Sequence, residues 1–301
     1  TYKYNIFQDI TMLIIGCSHG RHLAQKIAKG LRCPYSNLRV KKFPDNEIGM
    51  RFMSSVRGKV IVLVQSFYGD VNDCVVEVLF AAETARDLGA KKVFLVAPYL
   101  PYMRKDKRYE PGECISGKVL SKIISRYFDR VYVVEPHLHR KTRLSGLFSI
   151  KAEELTSNPY IVDYIKRNIK NPLIVGPDKG SLEMVKMAAH GLGCKYAVIE
   201  KKRISGREVK VRLSKKIALD DKNIVFIDDI ISTGNTILEC AKILRKWGVK
   251  KFYCVAVHGI FVENALERLR KANINVVTAN TIPNKVGKID ISQLISEALR
   301  N

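Results

Sequence analysis

Short, unbroken apolar runs alternate with stretches of helical period along most of this 301-residue chain. MLIIG (12–16), KVIVLVQ (59–65), KVFLVAP (92–98) and RVYVVEP (130–136) have the length and continuity of parallel strands covered on both faces. Helices are expected near 22–30, 71–89 and 115–128, the second closing on Gly89 as a C′ glycine. LRVKKFPDNEIGMRF (38–52) is polar and turn-rich after a short strand, and residues 137–158 read as irregular. The beat then resumes with helix 160–169, strand LIVGP (173–177), helix 182–191 and strand KYAVIE (195–200). A basic stretch with alternating VKVRL (209–213) leads to strand NIVFI (223–227) and a helix through Trp247. Strand KFYCVAVHG (251–259), helix 262–272, strand INVVTA (274–279) and a closing helix 291–300 complete the pattern. Two successive runs of strand–helix units predict an α/β protein of two doubly wound parallel-sheet domains, 12–150 and 151–301. The last helix is a candidate to return to the first domain.

Composition narrows the class. Hydrophobic residues make up 47%, and no run approaches the ~18 apolar residues of a membrane helix. No secretory leader is visible, so a cytoplasmic protein without a membrane partner is expected. Residues 1–10 read as an extension, with Met12 opening the regular pattern. The seven cysteines (17, 33, 74, 114, 194, 240, 254) form no C-x-x-C pair and fit small core positions of a reducing compartment. Lys and Arg number 52 against 29 Asp and Glu, a net charge of +23. The cations are spread along the chain instead of forming an arm or an aromatic-laced stripe, so no nucleic-acid partner is expected. A positive field of this kind also concentrates polyphosphate substrates.

The candidate chemistry lies where strands end, because ligands of doubly wound sheets sit outside the carboxyl ends of the strands. The strand at 223–227 runs into Asp228 and Asp229, then the small-residue loop Ser232-Thr233-Gly234-Asn235-Thr236, then a helix N-terminus. Backbone N–H groups and the helix dipole attract a phosphate dianion, and Gly234 allows close approach. The hydroxyls can donate to phosphate, and the carboxylates can accept from sugar hydroxyls or hold hydrated Mg²⁺. Other strand ends supply Gln65 and Ser66; Arg104, Lys105, Asp106 and Arg108; Glu135, His137 and His139; Asp178 and Lys179; and Lys201 and Arg203. The set offers cations for phosphates and oxygen or imidazole ligands for a hard metal, with no Ser-His-Asp arrangement.

Several motifs in order resemble the ribose-phosphate diphosphokinases, also called phosphoribosyl-diphosphate synthetases, of an archaeal kind. They are KFPDNEI (42–48), PYxxYxRxDxR up to residue 108, GPDKG (176–180), EKKR (200–203), IDDIISTGNT (227–236) and TIP (281–283). The resemblance spans residues 12–300 and implies two domains of the type I phosphoribosyltransferase fold. It implies transfer of the β,γ-diphosphoryl group of ATP to the C1 hydroxyl of ribose 5-phosphate, with Mg²⁺ as cofactor. Phe43, Asp45 and Glu47 would reach the adenine across a subunit interface, in a homodimer or higher homo-oligomer. Arg104, Lys105, Asp106 and His137 would serve the nucleotide. Asp178, Asp228, Asp229 and residues 232–236 would hold ribose 5-phosphate, His137 and Asp178 would face the metal, and Lys201 and Arg203 would be catalytic. Those last two open a basic segment, KKRISGREVKVR, expected to act as a lid with its tip at Ser205-Gly206. Three positions depart from the family pattern. Lys105 stands where many relatives have Gln, Glu135 replaces the Asp of the D-x-H segment, and the spacing from His137 to Gly146 is longer than usual. His139 therefore stays an alternative to His137. A nucleobase phosphoribosyltransferase and a non-catalytic regulatory homologue are the competing readings.

Overall fold

The computed structural model describes residues 11–138, 143–203, 209–214, 217–219 and 221–301. The chain divides into two compact units, the first running to Leu155 and taking in Ser292–Asn301, the second spanning Thr156–Ile291.

The first unit contains β1 (Met12–Gly16), α1 (Arg21–Leu31), β2 (Tyr35–Lys42), β3 (Ile48–Phe52), β4 (Val60–Val64), α2 (Val71–Asp87), β5 (Lys92–Ala97), α3 (Ser116–Tyr127), β6 (Arg130–Val134) and β7 (Lys151–Leu155). Its seven-stranded sheet has the order β3-β2-β1-β4-β5-β6-β7. All neighbours are parallel except the β2–β3 hairpin. Every residue of β4 is buried, as its unbroken apolar run predicts. Gly89 (φ 87°) closes α2, its N–H donating to the Arg86 carbonyl at 2.9 Å.

The second unit repeats the plan with α4 (Asn158–Asn168), β8 (Pro172–Gly176), α5 (Leu182–Leu192), β9 (Tyr196–Arg203), β10 (Val209–Leu213), β11 (Asn223–Ile231), α6 (Asn235–Lys246), β12 (Lys251–Gly259), α7 (Ala265–Lys271), β13 (Ile274–Ala279) and β14 (Gly287–Ile289). Its sheet order is β10-β9-β8-β11-β12-β13-β14, with β9–β10 the antiparallel pair. The closing helix α8 (Ser292–Arg300) packs on α1 of the first unit. Ser296 Oγ donates to the Ile27 carbonyl at 3.4 Å, and a Cβ on Gly30 would lie 2.8 Å from that Oγ. The absence of a side chain at Gly30 thus lets the two helices approach.

Each sheet is therefore mixed at one edge, a refinement of the all-parallel expectation. Four local readings also change. Residues 38–52 form most of a hairpin, residues 151–155 of the supposedly irregular segment are strand β7, and the helix expected over 262–272 is shortened to α7. The central strand does not stop at its apolar run. It continues through both aspartates to Ile231, with Asp228 opposite Ala256 and Ile230 opposite His258 on β12.

Candidate active site

In the second unit, β11 delivers Asp228 and Asp229 at the carboxyl side of the sheet, both partly buried. The Asp229 N–H donates to Asp228 Oδ1 at 3.1 Å. Burial first, and then the charges of Asp229 and Asp178, push the Asp228 carboxyl well above the usual carboxylate range. Three acids thus create a negative potential that a divalent cation or a row of sugar hydroxyls would relieve. Asp178 lies just before α5 and is exposed. Its Oδ1 accepts from Gly180 N at 2.7 Å and Ser181 N at 3.3 Å, an Asx turn that fixes the carboxylate at the mouth of the helix.

The loop after β11 turns on Gly234, which has φ 71° and caps α6. That left-handed conformation is one that glycine adopts without steric cost. Ser232 and Thr233 are partly buried, while Asn235 and Thr236 are exposed at the first turn of α6. The Asn235 N–H reaches Thr233 Oγ1 at 3.5 Å. From the neighbouring α7, Arg268 Nη2 donates to Asn235 Oδ1 at 2.6 Å and Nη1 to the Thr233 carbonyl at 3.4 Å. The structure thus brings Asp228, Asp229, Asp178 and residues 232–236 together at one end of one sheet.

The acids suit Mg²⁺ as ligands. Among the described residues no three His, Cys, Asp or Glu side chains converge as a closed cage. Mg²⁺ characteristically takes one or two carboxylates and completes its shell with water and substrate oxygens.

In the first unit the β2–β3 hairpin and the loop around Tyr102 meet the N-terminus of α2. Residues 41–47 at the tip of the β2–β3 hairpin are all exposed, and the Phe43 ring is 40% accessible, with Lys41 Nζ 4.9 Å from its centroid. The Glu47 N–H donates to Asp45 Oδ1 at 3.2 Å. Lys42 Nζ reaches Asp73 at 2.7 Å, and the Tyr102 hydroxyl donates to Asn72 Oδ1. A cleft of about 320 Å³ lies among Lys42, Gly69–Asp73 and Tyr102. The Phe43 hairpin and the loop holding Arg104 therefore flank the same helix end. Arg104 is exposed and Asp106 buried. Lys105 Nζ donates to Glu113 Oε1 at 2.6 Å, and this contact holds the partly buried Glu113 carboxyl below its usual range. His137 is partly buried beyond β6, after Glu135, whose backbone has φ 39°. His139 lies outside the described residues.

Lys201 and Arg203 belong to β9, opposite Val211 and Val209 of β10. Their side chains, and the expected lid tip at Ser205-Gly206, lie outside the described residues.

One constellation escaped the sequence reading. The loop between β1 and α1 carries Ser18 and His19, and its backbone is locked to α2 and β4. Ser18 N and Oγ donate to the buried Glu77 carboxylate at 2.8 and 2.5 Å, and His19 N donates to Gln65 Oε1 at 2.9 Å. A Cβ on Gly20 would fall 1.8 Å from the Val64 carbonyl oxygen, so no other residue fits there. His19 Nδ1 lies 3.0 Å from Cys74 Sγ. Burial, reinforced by the Glu77 charge, pushes the Cys74 thiol up to about 12, which keeps it protonated and poorly nucleophilic. The sequence signal was available: CSHG after MLIIG repeats, in the first unit, the strand, small-residue loop and helix sequence of β11–α6.

Residues 12–127 match the model of the N-terminal domain of ribose phosphate pyrophosphokinase, and 146–292 match the phosphoribosyl transferase domain. The chain is 37% identical over 280 residues to the ribose-phosphate pyrophosphokinase of Pyrococcus furiosus, covering 93% of this chain and 97% of the relative. The chain belongs to the ribose-phosphate pyrophosphokinase family. The Sulfolobus acidocaldarius member is 34% identical, covering 96% of this chain and all of that one. The crystal structure of the Mycobacterium smegmatis phosphoribosylpyrophosphate synthetase superposes with a TM-score of 0.84 at 25% identity, covering 96% of this chain and 98% of that one. Pyrophosphokinase and diphosphokinase are two words for one activity, so the family expected from the motifs is the family found.

Proposed function

We infer that the chain transfers the β,γ-diphosphoryl group of ATP to the C1 hydroxyl of ribose 5-phosphate, yielding phosphoribosyl diphosphate and AMP. The observation that carries this reading is the pairing of Asp228 and Asp229 with an anion-receptive loop centred on left-handed Gly234, in a chain of this family. The 5-phosphate would rest on the loop N–H groups and the hydroxyls of Ser232, Thr233 and Thr236. Asp228 and Asp229 would accept from the ribose hydroxyls and so orient C1. Phe43 would stack on the adenine, with Asp45 and Glu47 accepting from its amino group. Arg104, Lys105, Asp106 and His137 would line the nucleotide side, and Lys201 and Arg203 would donate to the oxygens of the transferred group as charge develops. Such chemistry needs positioning and charge neutralisation more than covalent participation. When bound, Mg²⁺ would neutralise the triphosphate, with Asp178 and His137 as the protein's ligands. A nucleobase phosphoribosyltransferase would have no use for a whole first unit of this family, and a non-catalytic homologue would have no use for retained Lys201 and Arg203. Incubation with ATP, Mg²⁺ and ribose 5-phosphate is expected to release AMP in step with phosphoribosyl diphosphate. Release of ADP, or no release, overturns the reading.

The exposed hairpin tip supports a shared nucleotide site in a homo-oligomer, set in the cytoplasm. Mixing inactive Glu47→Ala subunits with inactive Lys201→Ala subunits is then expected to restore part of the activity. Mixed oligomers verified by mass spectrometry that stay as inactive as their parents would mean that the adenine is held within one chain.

A further inference from the structure

We propose that Arg268, on a helix of its own outside the β11–α6 turn, is a positioning residue for the sugar-phosphate loop. The proposal rests on the reading of residues 232–236 as the phosphate site. Its two terminal guanidinium nitrogens span Gly234, one holding the Thr233 carbonyl at 3.4 Å and the other Asn235 Oδ1 at 2.6 Å. Next to it, Leu269 is fully buried and lies against the loop, its Cδ1 only 3.2 Å from where a Cβ on Gly234 would stand. One short stretch of α7 thus supports the turn through an apolar contact and a two-pronged polar one.

The geometry has a direct consequence for the ligand. In a trans peptide the carbonyl and the following N–H point in opposite directions. Arg268 draws the Thr233 carbonyl to itself, so the Gly234 N–H faces away from α7. The same fork engages the Asn235 carboxamide oxygen, which would repel a phosphate if it faced one. Glu267, the acid beside Arg268, pairs with Lys271 at 2.7 Å. Among the described residues the guanidinium is held by neutral oxygens, so its full charge adds to the potential at the loop. Lysine cannot reproduce this arrangement, because one ammonium lacks the planar fork that bridges two acceptors.

The test compares Arg268→Met and Arg268→Lys with the parent, using calorimetry with ribose 5-phosphate and separate KM values for ribose 5-phosphate and ATP. Loss of two charge-assisted hydrogen bonds is expected to weaken ribose 5-phosphate about tenfold in Arg268→Met, leaving KM for ATP within about twofold. Arg268→Lys is expected to fall between, at a loss of about threefold or more. Ribose 5-phosphate affinity kept within about twofold in Arg268→Met overturns the proposal, as does an equal rise in both KM values, the mark of a general structural defect. If Arg268→Met does not fold, Arg268→Lys decides: a loss of less than about threefold counts against the proposal. A parent protein without affinity for ribose 5-phosphate overturns the reading of the loop, and the proposal with it.

Discussion

Alanine at Lys201 or Arg203 is expected to lower kcat by a factor of about 10³ while KM for either substrate moves little. Phosphoryl-group transfer gains most from cations that meet charge as it develops, because such contacts strengthen between ground and transition state. Both residues fall in the last part of β9, and β9 with β10 forms the antiparallel edge of the second sheet. The double variant is expected to lose little more than either single one, since the two cations would act as a unit. Steady-state kinetics with both substrates varied checks this. A single variant keeping more than about a tenth of the parent kcat removes that residue from the catalytic role.

Asp228→Asn is expected to separate stability from function. At neutral pH the variant should bind ribose 5-phosphate on the order of 10² more weakly, through loss of charged acceptors for the sugar hydroxyls. ATP binding should change little. Yet the unliganded variant should melt a few degrees higher than the parent. The sign follows from the raised pKa of Asp228, caused first by burial and then by Asp229 and Asp178. A carboxyl whose pKa is raised on folding carries no penalty below its unfolded value of about 3.9. The penalty grows as pH climbs through the folded pKa and is complete above it. The stability advantage of Asp228→Asn should therefore be present at pH 7 and vanish toward pH ~4. Asparagine keeps an acceptor for the Asp229 N–H, so the local turn survives. Equal melting temperatures across that range would mean that the folded state exacts no penalty for the charge of Asp228.

The strands that sequence pattern locates well are those covered on both faces. VIVLV of β4 is a continuous apolar run buried at every residue, and in KVFLVA of β5 every residue after Lys92 is buried. The edges are harder. Lys151–Leu155 of β7 is KAEEL, with only Leu155 buried, so hydrophobicity carries no strand signal and the ladder to β6 alone defines it. The β2–β3 hairpin is hidden likewise, since its tip is exposed on all sides. At the site, the loop from Ser232 to Thr236 is legible because acids, hydroxyls and glycine occur in succession after a strand. Arg268 is not. It stands more than thirty positions away, among Glu267, Arg270 and Lys271, where a charge looks like a solvated helix face. Ser18 and His19 were passed over because their partners, Gln65 and Glu77, come from distant elements.

The return of α8 to the first unit has a consequence for the order in which the protein matures on the ribosome. The segment that covers α1 near Ile27 and Gly30 is translated after the whole of the second unit. Elongation at ordinary speed leaves that helix face waiting on the order of ten seconds. The second unit can thus reach its final form earlier than the first, the reverse of the usual vectorial order. A nascent chain in this state leaves the face of α1 near Ile27 and Gly30 uncovered. A gene fragment cut after Leu155 would make that state permanent. Expressing the first unit alone therefore calls for a circular permutant in which α8 is fused ahead of β1.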